Sequence, residues 1–157
     1  MKIKGLVDED FANYKLASMF VIFPSCTFKC EKECGKNCCQ NSSIAKLADI
    51  EIEAYEIVSR YIKNPITKAL VCGGLEPFDS FDDLFELIHE FRKFMHDDIV
   101  IYTGYEKDEI KWQLKKLTPF GNIIVKYGRF IPDREGTDSI LLGVHLASEN
   151  QYAERLC

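Results

Sequence analysis

Short apolar runs alternate with amphipathic segments along most of this 157-residue chain, and the alternation limits the folds open to it. Residues 19–23, 68–72, 98–103 and 122–127 form continuous apolar runs of strand length, as buried parallel strands do. Residues 139–144 are interpreted as a further strand. Because strands and helices alternate, the sequence predicts an α/β fold with a mainly parallel sheet and right-handed crossovers.

Three helices are predicted between these strands from apolar residues at helical spacing, over residues 50–62, 80–95 and 106–117. Ser80 is predicted to be the N-cap of the second helix. The chain has no linker rich in Gly, Ser or Pro and no internal repeat. A single domain spanning residues 1–157 is therefore expected.

Composition and charge disfavour two classes of partner. The net charge of -5 argues against a nucleic-acid partner, which usually requires a basic face. Residues 1–20 contain acidic residues where an export signal needs an apolar core, and no apolar run approaches about 18 residues. The sequence thus predicts a cytoplasmic protein with no membrane partner, in a compartment that keeps thiols reduced.

A cysteine-rich loop follows the first predicted strand. It holds five of the seven cysteines of the chain: Cys26, Cys30, Cys34, Cys38 and Cys39. An odd total excludes a complete set of intramolecular disulfides, so metal or redox chemistry is the favoured interpretation. Thiolates bind both zinc and iron–sulfur clusters, and the spacing also suits paired zinc knuckles. Zinc, iron–sulfur and unliganded thiols all remain open at this point.

Two more unusual loops follow the second and third predicted strands: "CGGLEPFD", residues 72–79, and "TGY", residues 103–105. The carboxyl ends of parallel strands meet at one edge of a sheet, so these loops and the cysteine loop are expected to form one site. Gly73 and Gly74 allow a close approach of the backbone to a ligand. Glu76 can accept hydrogen bonds from an ammonium group. Taken alone, each of these loops is more often an ordinary turn.

In this order the motifs resemble the radical S-adenosylmethionine superfamily, and within it the activases of anaerobic (class III) ribonucleoside-triphosphate reductases. "SCTFKC" and "CQN" are similar to the two ends of the family's C-x-x-x-C-x-x-C-aromatic-Asn motif. "CGGLEP" is similar to its S-G-G-(D/E)-P motif, with Leu75 inserted. "TGY", "GRF" and "SENQ" resemble later family segments, so the similarity covers nearly the whole chain.

The resemblance implies a partial, open (β/α) TIM-like barrel of the radical S-adenosylmethionine type. It also implies that Cys26, Cys30 and Cys39 hold a 4Fe–4S cluster with one open iron, which S-adenosylmethionine chelates. The implied cofactor-binding residues are Gly73, Gly74, Glu76, Thr103 and Gly104. No catalytic residue is implied beyond the cluster and its bound S-adenosylmethionine.

The implied activity is reductive cleavage of S-adenosylmethionine to a 5′-deoxyadenosyl radical, which generates a glycyl radical on a partner anaerobic ribonucleotide reductase. An electron donor such as flavodoxin or ferredoxin is implied as a second partner. A radical enzyme with another substrate and a non-catalytic zinc or iron–sulfur domain on the same scaffold are the alternatives.

The chain departs from the family pattern in its cysteine loop. Eight residues separate Cys30 from Cys39, where the family has two, and Cys34 or Cys38 is therefore an alternative ligand. Gly35 makes a looped-out insert feasible. Cys72 is expected to be a buried strand residue.

Overall fold

The structure is a computed structural model that describes all 157 residues, from Met1 to Cys157. Its helices are α1 (Lys29–Cys34), α2 (Ala54–Lys63), α3 (Phe81–Arg92) and α4 (Lys111–Leu117). Its strands are β1 (Lys2–Ile3), β2 (Gly5–Asp10), β3 (Ser18–Phe23), β4 (Ile50–Glu51), β5 (Ala69–Gly74), β6 (Asp98–Tyr102), β7 (Ile123–Tyr127), β8 (Thr137–Ser139), β9 (Val144–Leu146) and β10 (Tyr152–Arg155).

Six strands form one sheet in the order β10-β7-β6-β5-β3-β2. The four central strands β3, β5, β6 and β7 run parallel to one another, and they are the four runs predicted as buried parallel strands. The edge strands β2 and β10 pair antiparallel with their neighbours, so the sheet is mixed. Because β2 and β10 do not pair with each other, the sheet is open, and the partial TIM-like barrel stays a prediction.

Both faces of the sheet are buried, which explains the continuous apolar runs. Helices α2, α3 and α4 cover one face with a cluster of 23 buried residues, among them Ile57, Leu87 and Leu114. A smaller cluster on the other face includes Val71, and it is completed by Tyr14 and Leu146 from outside the parallel strands. Burial of each large side chain contributes about 1.5–3 kcal/mol, so the helical face, with the larger cluster, contributes most of the hydrophobic stabilisation.

The structure differs from the sequence-based prediction at residues 139–144 and at the start of α2. Residues 139–144 are not one strand of the sheet: Ser139 ends β8, Val144 begins β9, and residues 140–143 form the turn of this separate hairpin, with Gly143 at φ +71°. Helix α2 begins at Ala54 rather than residue 50, because Ile50–Glu51 pairs with β1 instead. The reciprocal Glu53–Glu56 capping box then starts the helix.

Ser80 is the N-cap residue of α3, as predicted, although its side chain makes no capping hydrogen bond. A 3-10 turn over Pro77–Ser80 leads directly into α3, and the carboxylate of Glu76 accepts the backbone N–H of Phe78 at 3.1 Å. Glu76, a predicted site residue in the loop after β5, thus caps the 3-10 turn that precedes α3.

No helix of the structure combines the length and apolar character needed to cross a membrane.

Candidate functional site

A cavity of about 370 Å³ opens at the carboxyl-terminal edge of the parallel strands. This volume lies within the usual range of small-molecule sites. All three loops singled out by the sequence contribute to its wall, as the strand order predicts. The wall residues foreseen from the sequence are Cys26, Cys30, Cys39, Gly74, Glu76, Thr103 and Gly104.

Hydrogen bonds fasten the cysteine loop to the glycine loop. The backbone N–H of Glu76 donates to the carbonyl of Ser25 at 2.8 Å. The side-chain amide of Asn41 donates to the carbonyl of Gly74 at 2.7 Å. These two bonds hold the cysteine loop at its start and at its end, so the long insert between them begins and ends at the cavity.

The insert itself contains helix α1, with Phe28 and Gly35 in left-handed conformations at its two ends. Glu33 on this helix forms an ion pair with the guanidinium of Arg129 at 3.3 Å. The same guanidinium also pairs with Glu109 at 2.7 Å. Arg129 follows the end of β7 and lines the cavity. The Glu33–Arg129 ion pair therefore connects α1 to a residue of the cavity wall.

The five loop cysteines fall into two groups. Cys26, Cys30 and Cys39 are free thiols on the cavity wall, whereas Cys34 is paired with Cys38 outside it. Burial raises the pKa of the Cys26 thiol to about 11, although the N–H of Phe28 donates to its sulfur. Burial and the adjacent Cys39 raise the pKa of Cys30. A metal must therefore displace these protons as it binds.

The donor set can be compared with the two kinds of metal centre left open by the sequence. No three Cys, His, Asp or Glu side chains converge tightly enough to surround one ion. A tetrahedral zinc with Zn–S bonds of about 2.3 Å would require such convergence. An iron–sulfur cluster bonds each thiolate to a different iron, so three soft sulfurs spread over one cavity wall suit it better.

Glu76 is the polar centre of the wall, and only 7% of it is exposed. Its carboxylate accepts the Thr103 hydroxyl and the Gly104 N–H, both at 2.8 Å, in addition to the N–H of Phe78. It thus joins the loop after β5 to the loop after β6. Burial raises the pKa of Glu76 to about 7, against the effect of these three hydrogen bonds.

The raised pKa of Glu76 predicts a specific pH dependence of stability. The folded chain binds this proton more tightly than the unfolded chain, so its contribution is fully present below pH 4.5 and is lost as pH rises through about 7. The free energy of urea unfolding of wild type should fall by up to about 3 kcal/mol relative to Glu76→Gln between pH 5 and pH 8. The exposed Glu86→Gln control should keep the wild-type dependence. If the free energy of unfolding changed with pH in the same way for wild type and Glu76→Gln, the raised pKa of Glu76 would be contradicted.

The two glycines after β5 occupy different positions. Gly74 lines the cavity with φ at +85°, a conformation that glycine adopts without strain. Gly73 does not line the cavity, so its predicted contact with a cofactor stays a prediction. A Cβ at position 73 would lie 3.2 Å from both Phe20 and Tyr102, which are wall residues. The absence of a side chain at Gly73 thereby leaves room for the ring of Phe20 and the Cβ of Tyr102.

Lys126 is a site residue that the sequence analysis missed. It lies in β7 with 7% exposure, lines the cavity and donates from Nζ to the carbonyl of Gly128 at 3.0 Å. Burial lowers its pKa to about 8. A lysine inside the apolar run "NIIVKY" is the signal that could have identified it, because lysine is almost never fully buried without a reason.

Comparison with known proteins agrees with the donor set. The sequence profile of the family described as "4Fe-4S single cluster domain" matches residues 17–151, which is most of the chain. No curated protein and no solved structure gives a significant match. The matched range begins just before β3. It includes the cysteine loop and all the cavity-wall residues from Phe20 to Gln151. The chain therefore belongs to the 4Fe-4S single cluster domain family and is an iron–sulfur protein.

Proposed function

We propose that this protein is a radical S-adenosylmethionine enzyme that activates a partner anaerobic ribonucleotide reductase. The observation that carries the proposal is the shared cavity: three free thiols and the backbone of two strand-end loops line one space of small-molecule size. A structural metal loop has no need of such a cavity beside it. Membership of an iron–sulfur family supports the proposal without specifying the substrate.

The thiols of Cys26, Cys30 and Cys39 are the proposed ligands of the cluster. When bound, the cluster supplies an electron that cleaves the sulfonium of S-adenosylmethionine into methionine and a 5′-deoxyadenosyl radical. The chain supplies ligation, orientation and exclusion of side reactions. The hydrogen bonds from Glu76 and Asn41 hold the cysteine loop and the glycine loop together, so cluster and substrate would share a fixed geometry.

The wall suits a zwitterionic substrate because it contains one buried acid and one buried base. Glu76 can accept a further hydrogen bond from the ammonium group, and Lys126 can donate to the carboxylate. Gly74, Thr103 and Gly104 contribute backbone to the same wall. The aromatic side chains of Phe20, Tyr102 and Phe130 supply apolar surface.

The proposed second substrate is a glycine of a glycyl-radical reductase, which would give up a hydrogen atom to the 5′-deoxyadenosyl radical. The products are 5′-deoxyadenosine and a glycyl radical. The open sheet leaves the cavity accessible to a large partner, and the hairpin that contributes Val144 and His145 to the wall also presents Ile140, which is 94% exposed. A flavodoxin or ferredoxin is the proposed electron donor.

Binding can be tested apart from turnover. S-adenosylmethionine added to the anaerobically reconstituted and reduced protein should change the electron paramagnetic resonance spectrum of the cluster. Lys126→Gln should raise the Kd for S-adenosylmethionine by roughly 10- to 150-fold, because a hydrogen bond to a charged group contributes about 1.5–3 kcal/mol. The matched control is Lys107→Gln, which is exposed and does not line the cavity, and it should bind S-adenosylmethionine like wild type. An unchanged spectrum at millimolar S-adenosylmethionine would contradict binding at the cluster.

The reductase partner is tested by mixing the reduced protein and S-adenosylmethionine with an anaerobic ribonucleotide reductase from the same organism. A glycyl-radical signal on the reductase is the expected result. Formation of 5′-deoxyadenosine without any radical on that reductase would instead indicate a radical enzyme with another substrate.

A further inference from the structure

Two cysteines of the insert lie outside the proposed cluster site but belong to the same loop. Cys34 ends α1 and Cys38 lies four residues later, and their sulfur atoms are in direct contact. Neither residue lines the cavity, in contrast to Cys26, Cys30 and Cys39. The structure therefore divides the loop into a set of three free thiols and one pair.

The pair lies next to two of the proposed ligands, Cys30 and Cys39, in sequence and in space. Cys34 lies one helical turn after Cys30 on α1, and Cys38 is the immediate neighbour of Cys39. The sulfur of Cys38 also lies 3.6 Å from the carbonyl oxygen of Cys30. The carboxylate of Glu31 accepts the N–H of Cys39 at 3.4 Å, which joins the same two segments. A covalent bond between Cys34 and Cys38 would therefore restrict the positions of Cys30 and Cys39 relative to each other.

The pair is also accessible, and Gly35 lies between its two cysteines. Both cysteines are partly exposed, and residues 35–37 between them are exposed, so a small thiol or disulfide can reach them. Their Cα atoms lie 7.2 Å apart, slightly beyond the usual disulfide range of about 4.4–6.8 Å. Gly35, with φ at +67° and no neighbour within 4 Å of a Cβ, lets the two segments approach each other.

We propose that Cys34 and Cys38 form a reversible thiol-oxidation site beside the cluster. A low-molecular-weight disulfide such as glutathione disulfide is attacked by one thiolate, which gives a mixed disulfide and releases one thiol. The second cysteine then displaces the other thiol and closes the intramolecular bond. The pair loses two electrons and two protons, and the glutathione disulfide becomes two thiols.

Oxidation of the pair selects the metal ligands of the loop. In the reduced state, five soft thiols compete for iron within one loop. In the oxidised state, only Cys26, Cys30 and Cys39 remain available. The inference requires the iron–sulfur cluster but not cleavage of S-adenosylmethionine, so it stands or fails independently of the proposed reaction.

The position of the lysines makes the disulfide directly measurable. Trypsin cleavage after Lys32, Lys36 and Lys46 places Cys34 on the peptide of residues 33–36 and both Cys38 and Cys39 on the peptide of residues 37–46. Fragmentation of the linked peptide assigns the second sulfur to Cys38 or Cys39. Reconstituted protein is equilibrated anaerobically in glutathione buffers of graded ratio, alkylated, digested and analysed by mass spectrometry. We expect the two peptides to become linked through Cys34 and Cys38, to separate again with dithiothreitol, and the bound iron to remain constant throughout.

Cysteine variants show whether the disulfide forms between Cys34 and Cys38 or involves another cysteine. Cys34→Ser should abolish the linked peptide and leave a glutathione adduct on Cys38, whereas Cys157→Ser should behave like wild type. Absence of the linked peptide at every ratio, or a link through Cys39 with loss of iron, would overturn the proposal.

A second measurement compares iron content after cluster assembly. Protein oxidised at the pair before reconstitution should take up as much iron as the Cys34→Ser, Cys38→Ser double variant. Assembly that succeeds only with Cys34 or Cys38 present and reduced would make one of them a ligand and would also overturn the proposal.

Discussion

Replacement of Cys26 by alanine is expected to abolish assembly of the cluster and, with it, any formation of 5′-deoxyadenosine. Cys26 is the proposed ligand that follows β3 directly, and its neighbour Ser25 is held to the glycine loop by the N–H of Glu76. Loss of a residue that merely orients a metal ligand already costs about 10–100-fold, so loss of a ligand should cost at least about 100-fold. Iron analysis and the visible absorption of the reconstituted protein measure the effect.

Matched cysteine variants give this prediction its specificity. Cys30→Ala and Cys39→Ala should behave like Cys26→Ala, because all three thiols line the cavity. Cys157→Ser should keep the full iron content, since Cys157 lies at the far end of the chain. The free energy of unfolding of each variant, measured before reconstitution, shows whether a loss of iron comes from the missing ligand or from a loss of the fold. A Cys26→Ala protein with wild-type iron content would show that the ligand set is wrong.

Replacement of Gly74 by alanine is expected to have the largest effect on stability among the site variants. Its φ of +85° is strained for any residue with a Cβ, which costs about 1–3 kcal/mol. The new Cβ would also clash with the side chain of Ile22 and lie 3.3 Å from the Cα of Ile22. Overpacking of this kind costs a further 1–3 kcal/mol or so. We expect a total loss of about 3 kcal/mol, and a Tm lower by roughly 6–12 °C, in calorimetry.

Gly121→Ala separates the two causes of this loss. Gly121 has a comparable φ of +69°, but a Cβ added there would have no atom within 4 Å. Its substitution should therefore cost only the backbone strain, about 1 kcal/mol. Equal losses for Gly74→Ala and Gly121→Ala would mean that the contact with Ile22 does not constrain the glycine loop.

The central strands were predictable because their burial on both faces leaves a clear sequence pattern. Residues of β5 from Ala69 to Gly73 are all buried, and the corresponding run is continuously apolar. The edge strands leave no such pattern: β2 alternates between half-buried and exposed positions and contains three acidic residues. Strand β10 likewise has no fully buried residue. Their pairing depends on contacts with β3 and β7, which a local pattern does not contain.

The candidate site was predictable in its composition but less so in its connections. The order of the loops was sufficient to bring Cys26, Gly74 and Thr103 together, because parallel strands end at one edge. The division of the five loop cysteines depends on how the insert folds, and the sequence left it open. Glu76 was predicted as a binding group, yet three backbone and side-chain donors already bind its carboxylate. That network is long-range and has no signature in a single segment.

The most direct test of the proposed activity is the product of S-adenosylmethionine cleavage. The protein is reconstituted anaerobically with iron and sulfide, reduced with dithionite, mixed with S-adenosylmethionine and analysed by chromatography. Formation of 5′-deoxyadenosine and methionine in wild type, and its absence in Cys26→Ala, is the predicted result. A protein that assembles its cluster fully but yields no 5′-deoxyadenosine would contradict the radical mechanism and leave a non-catalytic iron–sulfur domain.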